Sequence, residues 1–290
     1  MPGTFDAIAF AGGGNRCYWQ GGFWDVAGPA LGAPSLAVGV SAGAWAACYS
    51  MLGFGESVRT MVVEGCSRGA PNLDFSALRR GEPAFPVRAM YGELLTEILD
   101  TDAFARLTAP DAPDVLIAVA RPPRRLPLAL AVPLGMLVYQ LEKAVAKPVH
   151  PRGGRWLGFR TEFVRVRDLE SPQALVAALL ASASVPPIMP IGLVAGAPAL
   201  DGGLVDNVPV EPLSAVEARG GRTLVLVTRR YARLPEVPGR TYVQPSRRIA
   251  VGQFDVTRPA AIEETYALGR ADGAAFVAEL RAGEGAHAAG

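Results

Sequence analysis

A serine with a glycine two residues to either side, Gly39-Val40-Ser41-Ala42-Gly43, lets a backbone turn sharply without side-chain collision and leaves the hydroxyl exposed at the turn. Such a hydroxyl could attack an acyl carbon, but it is a weak nucleophile until a base takes its proton, and the usual base is histidine. The chain has two histidines. His150 lies in the proline-rich run KPVHPRGGR and His287 in the terminal GEGAHAAG. Neither follows an expected strand, where the third member of a Ser-Asp-His triad would stand. A carboxylate can take over if burial or hydrogen bonding sets its basicity. The leading one is Asp201, which follows the apolar GLVAGAPAL and opens Asp201-Gly202-Gly203, a turn whose glycines permit close approach to another backbone. Asp206 is a weaker competitor.

Acyl transfer also needs donors for the oxyanion of the tetrahedral intermediate. Gly12, Gly13 and Gly14 can offer backbone N–H groups unhindered by side chains, with Arg16 supporting the loop or adding positive potential. A glycine-rich loop after a first strand can also bind a dinucleotide, but Cys17 occupies the last glycine position of GxGxxG and no GxxxxGK[ST] is present. Taken singly, each motif has a plainer reading: a helix entry packed on small residues for Gly39 to Gly43, an ordinary Asp-Gly turn for Asp201.

The motifs need elements to hold them. Asp6 to Ala11 reads as a buried strand entering the Gly12 loop, with a helix from about Tyr18; Ser35 to Val40 is a second strand that turns into a helix after Ser41. Asp114 to Ala120 and Thr223 to Thr228 are further β-rich runs, while Ala174 to Ala183 and about Ala260 to Ala282 have helical composition. The alternation predicts an α/β layer fold with a mainly parallel sheet and ligands beyond the carboxyl ends of its strands, where both glycine turns fall. Leu126 to Leu141 stands apart: nearly all apolar, broken by Pro127, Pro133 and Gly135, with Arg124 and Arg125 before it and Lys143 and Lys147 after. It is too short and interrupted to span a bilayer comfortably. Either it is a core helix or cap over the sheet, or it docks on lipid with the help of its basic flanks.

A net charge of +1 supplies no global field for nucleic acid. Cys17, Cys48 and Cys66 are odd in number and lack CxxC spacing, which suits buried thiols in a reducing compartment. The opening MPGTFDAIAFAGGG has no basic segment of the kind that starts a secretory signal, so a cytoplasmic location is expected, with peripheral contact at the membrane allowed. No metal-ligand cluster is visible. The length suits one domain over 1–290, with a core of about 6–230, a cap or channel segment of about 126–147 and a helical extension of about 245–282.

Together, GGGNR at Gly12 to Arg16, GVSAG at Gly39 to Gly43 and DGG at Asp201 to Gly203 resemble, in order and spacing, the motifs of the patatin-like phospholipases. Ala181-Ser182-Ala183-Ser184-Val185-Pro186 resembles the segment that precedes the family's aspartate, and Asn207 with Pro209 the Asn-x-Pro that follows it. The resemblance implies a three-layer fold and a Ser-Asp dyad, with Ser41 as nucleophile, Asp201 as proton acceptor, an acyl-enzyme intermediate and neither metal nor organic cofactor. It implies lipid acyl esters, phospholipids or lysophospholipids foremost, as substrates. General esterase, thioesterase or transacylase chemistry, and an inactive lipid-binding relative, are the alternatives. Cys17 departs from the family's glycine at that place, whereas Gly22 matches one five residues on. The 126–141 segment and the chain beyond about Arg240 are expected to form an acyl-chain channel or cap.

Overall fold

Every residue of Ala7–Phe10 (β1) is buried, as expected of a strand covered on both faces. The structure, a computed structural model, describes residues 5–81, 84–145, 148–151 and 153–288; the side chains of residues 78, 143 and 284–288 are not among those described. Lys147 and the side chains of Lys143 and His287 therefore lie outside the described set.

The remaining strands are β2 (Leu36–Val40), β3 (Asp114–Arg121), β4 (Arg160–Arg165), β5 (Gly192–Val194), β6 (Ala197–Asp201), β7 (Thr223–Leu226) and β8 (Arg240–Val243). β3, β2, β1, β7 and β8 are neighbours in that order and all parallel, while β4 and β6 pair with β3, and β5 with β6, antiparallel. Side chains of the parallel strands divide by twos between the faces. Ile8, Phe10, Val115, Ile117, Leu224 and Leu226 enter the larger core; Ala7, Ala9, Val38, Val225 and Val227 enter the one opposite.

The helices are α1 (Tyr18–Leu31), α2 (Ala42–Leu52), α3 (Gly55–Ser67), α4 (Phe75–Arg79), α5 (Val87–Ile98), α6 (Thr101–Thr108), α7 (Leu128–Val145), α8 (Gly153–Trp156), α9 (Pro172–Ser182), α10 (Leu213–Glu217) and α11 (Pro259–Ala288). The larger core joins the sheet to α1, α2, α3, α5, α6, α9 and α11; the smaller takes Leu213 and Val216 of α10. A third cluster sets Ala131 and Val132 of α7 on Phe159, Leu200, Leu204 and Val205. The protein is thus a mixed α/β fold with a mostly parallel central sheet flanked by helices.

The helix expected from about Ala260 spans Pro259–Ala288, whereas residues 245–258, expected to begin the helical extension, are not helical. Nor is that helix an appendage: a Cβ on Gly22 or Gly269 would collide with the carbonyl of Tyr266 or Trp19, so the glycines let α1 and α11 approach backbone to backbone.

Candidate active site

Ser41 joins β2 to α2 at φ 55° and ψ −137°, a conformation that costs an L-residue on the order of 1–3 kcal/mol. The surroundings hold it there. A side chain on Gly39 would strike the backbone of Gly43 and Ala44, and one on Gly43 the carbonyls of Phe10 and Ala11, so the turn closes only with glycine at both places. The Ser41 amide donates to Ser182 Oγ at 2.8 Å, and that hydroxyl, fully buried, donates to the Ala118 carbonyl at 2.7 Å.

The strand register brings Asp201 to the same place. β4 occupies one edge of β3 over Leu116 to Arg121, so β2, opposite Asp114 to Ala118, and β6, opposite Val119 and Ala120, share the other edge. They meet end to end. Val40 lies opposite Ala118 and Asp201 opposite Val119, which sets Ser41 and Asp201 at adjoining strand ends although 160 residues separate them. The Cβ position of Gly202 is 2.6 Å from the Ala118 oxygen and 2.7 Å from Val40 Cγ2, as this junction requires. Asp201 is 7 % exposed; its Oδ1 accepts from the Gly203 amide at 2.8 Å, and its own amide donates to the Ser184 carbonyl.

The glycine loop is pinned against both. The Gly12 carbonyl accepts from Asn207 Nδ2 at 3.0 Å and from Thr228 Oγ1 at 2.7 Å. The Gly12 amide, expected as an oxyanion donor, is instead bonded to the Asn207 carbonyl at 3.0 Å. Among the hydrogen bonds of the described residues, none uses the amides of Gly13 and Gly14. Arg16 reaches across to the Val251 carbonyl at 3.4 Å; burial, with Arg229 and Arg248 nearby, lowers its pKa. Cys17 is buried with Sγ directed to the Ala11 carbonyl at 3.5 Å, and burial pushes its thiol far up, followed by the charge of Asp201. Cys48 and Cys66 are likewise buried free thiols, raised to about 12 and about 11 by burial.

Ser41 stands where two cavities meet. One, of about 530 Å³, is mainly aromatic and aliphatic, lined by Tyr18, Trp45, Tyr49, Val87, Tyr91 and Met189 among others. The other, of about 500 Å³, is mixed and the more polar of the two, and is bordered by Gly13, Gly14, Asp201, Asn207, Met136, Tyr139 and Gln140 among others. Ser41, Gly14, Gln253 and Phe254 border both. Burial pushes the Tyr139 phenol up to about 12, with the Asp201 charge adding to the effect.

Other expected residues lie apart. Asp206 accepts from the Val208 amide and sits 3.0 Å from His150 Nδ1, whose Nε2 is 3.0 Å from the Tyr242 hydroxyl; neither His150 nor Asp206 borders the two cavities. No group of three or more His, Cys, Asp or Glu among the described residues is placed to hold a metal. Gln253 and Phe254 were not anticipated. Asn15 donates to the Gln253 and Asp255 carbonyls at 2.9 and 2.7 Å, and Asp255 takes bonds from Thr257, Asn72 and Arg258, so a clamped loop walls the site.

The chain is thus an α/β protein whose mostly parallel sheet carries a strained serine and a buried aspartate at adjoining strand ends, beneath a glycine loop. The family model described as patatin-like phospholipase matches residues 8–214, and the chain belongs to that family. Lipid acyl hydrolysis is its general activity. No curated protein matches the sequence.

Proposed function

We propose that the protein is a serine hydrolase of lipid carboxylic esters, phospholipids or lysophospholipids foremost, working through Ser41 and Asp201. The observation that carries this reading is the position of Ser41, held in a strained turn at the junction of an apolar cavity and a mixed, more polar one, beside the end of the strand that bears Asp201. The acyl chain occupies the apolar cavity, and the alcohol portion the more polar one. Ser41 Oγ attacks the carbonyl carbon while its proton passes to Asp201. The amides of Gly13 and Gly14 hold the oxyanion. The ester C–O bond breaks, the departing alcohol takes the proton from Asp201, and the acyl group remains on Ser41. Water then attacks the acyl-serine, giving its proton to Asp201; collapse releases the fatty acid and returns the proton to Ser41.

The test is hydrolysis of a p-nitrophenyl acyl ester series, without added metal, by wild type, Ser41→Ala and Asp201→Asn. The expected result is product from wild type alone, with a chain-length optimum set by the apolar cavity and labelling by a serine-reactive phosphonate that Ser41→Ala abolishes. Wild-type turnover in either folded variant would sink the dyad. Silence of the wild type on esters and vesicle phospholipids, with no labelling, would move the assignment to a lipid-binding relative without catalysis.

A further inference from the structure

α7 is turned inside out for a helix in water. Leu130, Leu134, Leu137, Leu141 and Val145 follow one another at steps of four, three, four and four, which places them in one stripe. That stripe faces outward: Leu130 is 62 % exposed, Leu137 and Leu141 55 % each and Val145 83 %. Among the described exposed positions of the helix, Gln140 alone is polar. The opposite side is already committed, with Ala131 and Val132 in the core beneath and Tyr139 packed against it.

The charges have been sorted as well. The helix carries a single acidic residue, Glu142, and its carboxylate turns inward to accept from the Gly153 amide at 2.9 Å, leaving the stripe without negative charge. Arg124 and Arg125 are exposed just before the helix. On the adjoining α8, Trp156 is 81 % exposed beside Arg155, which is 3.7 Å from Glu211. An apolar stripe with two exposed arginines before its first turn and an exposed aromatic on the adjoining helix matches a surface that is apolar within and anionic at its head groups. The described stripe of a second copy offers no acid to answer Arg124 and Arg125. No helix among the described residues is long and apolar enough to cross a membrane, so the fit is to lying on one.

We infer that the outer face of α7, with Trp156 at its edge, docks on an anionic lipid bilayer and sets the catalytic cleft against it. Met136 and Tyr139 of the same helix border that cleft, so contact is made by the element that also walls the site. The choice of lipid as occupant rests on the lipid hydrolase reading above.

The test separates the two. The full chain carrying Ser41→Ala, which removes turnover from the assay, is floated with vesicles of phosphatidylcholine alone or mixed with phosphatidylglycerol. Binding to the mixed vesicles is expected. Leu137→Glu with Leu141→Glu should lower the partition coefficient by at least about tenfold, since each step removes apolar burial and adds charge repelled by anionic lipid. Arg124→Glu with Arg125→Glu should lower binding to the mixed vesicles only. With Ser41 restored, the leucine variant should keep hydrolysis of a soluble short-chain ester within about twofold of wild type while losing vesicle hydrolysis in proportion to its lost binding. Unchanged heat-unfolding midpoints certify the variants. Absence of vesicle binding, binding indifferent to the glutamates, or a dimer in light scattering that the glutamates split would overturn the proposal. A chain that hydrolyses the soluble ester through Ser41 but ignores vesicles refutes docking alone; one that binds vesicles through α7 but hydrolyses nothing refutes the dyad alone.

Discussion

Ser182 holds the Ser41 turn from 141 residues away, and replacing it with alanine isolates that influence on the proposed nucleophile. Its hydroxyl is fully buried, accepts the Ser41 amide and donates to the Ala118 carbonyl. The Ala118 oxygen points to the β2/β6 edge, 2.6 Å from the Cβ position of Gly202, so the change takes the Ser182 hydroxyl from both that carbonyl and the Ser41 amide. Leaving a buried donor unsatisfied costs about 1–3 kcal/mol. That is comparable to the roughly 1–3 kcal/mol of strain stored in the Ser41 backbone, so the elbow can relax once the clamp is gone. At about 2–4 °C per kcal/mol for chains approaching this size, a cost near 2 kcal/mol lowers the unfolding midpoint by about 4–8 °C. Relaxation of the turn by an equal amount of energy should reduce kcat by at least about tenfold, with KM for a p-nitrophenyl ester little changed. Ser50→Ala is the matched control: Ser50 is buried on α2, but its hydroxyl has no partner among the described residues, so its loss should be neutral or stabilising. The assay is calorimetry with steady-state kinetics on both variants. If Ser182→Ala keeps wild-type kcat and midpoint, or Ser50→Ala suffers equally, Ser182 is not the clamp.

Three further outcomes are expected. His150→Ala should leave kcat/KM for soluble esters within about twofold and lower the unfolding midpoint only modestly, because its bonds run to Asp206 and Tyr242, outside the two cavities; a large loss of kcat in folded protein would revive a triad. Tyr91→Phe should be neutral or stabilise by up to about 1–3 kcal/mol, since the phenol oxygen is buried without a partner among the described residues and the ring lines the apolar cavity; a lower midpoint in calorimetry would show a bond not yet seen. The hydrogen bond from Thr257, followed by that from Arg258, holds the Asp255 carboxyl well below its ordinary range, so its stabilisation is present above the unfolded value of about 3.9 and disappears as pH falls through the lower folded value. Asp255→Ala should therefore unfold at lower temperature than wild type at pH 7, with the difference shrinking in acid; a difference constant with pH would contradict the assignment.

The glycine-flanked turns were more legible than their supports. Ser41 and its flanking glycines announce themselves because no other residue fits where the elbow passes the Phe10 and Ala11 carbonyls, and β1, β2, β3 and β7 are visible as uninterrupted apolar runs because both of their faces are covered. β4 was hidden by its composition, RTEFVR, half-exposed along its length. The short, proline-containing β6 looked like a turn approach, although its pairing with Val119 is what places Asp201. Ser182, Asn207 and Thr228 act on Ser41 and Gly12 over sequence separations of 141, 195 and 216, and such partnerships follow from the folded sheet rather than from any local pattern. Gln253 and Phe254 sit in an irregular stretch where periodicity has nothing to report. The apolar run that begins at Leu126 is both things at once, a cap inward and an unpaired apolar face outward.

The cap leaves and re-enters the sheet at a single rung, for Arg121 ends β3 directly opposite Arg160 at the start of β4. The described chain between them is therefore a cassette whose two connectors are already stapled together by the ladder, while the strands that end at Ser41 and Asp201 lie side by side on the other edge of β3. Changes on its outer face, away from Ala131, Val132 and Gly154 that pack on Leu200, Leu204 and Val205, could suit it to another surface and leave the ends of β2 and β6 side by side on β3.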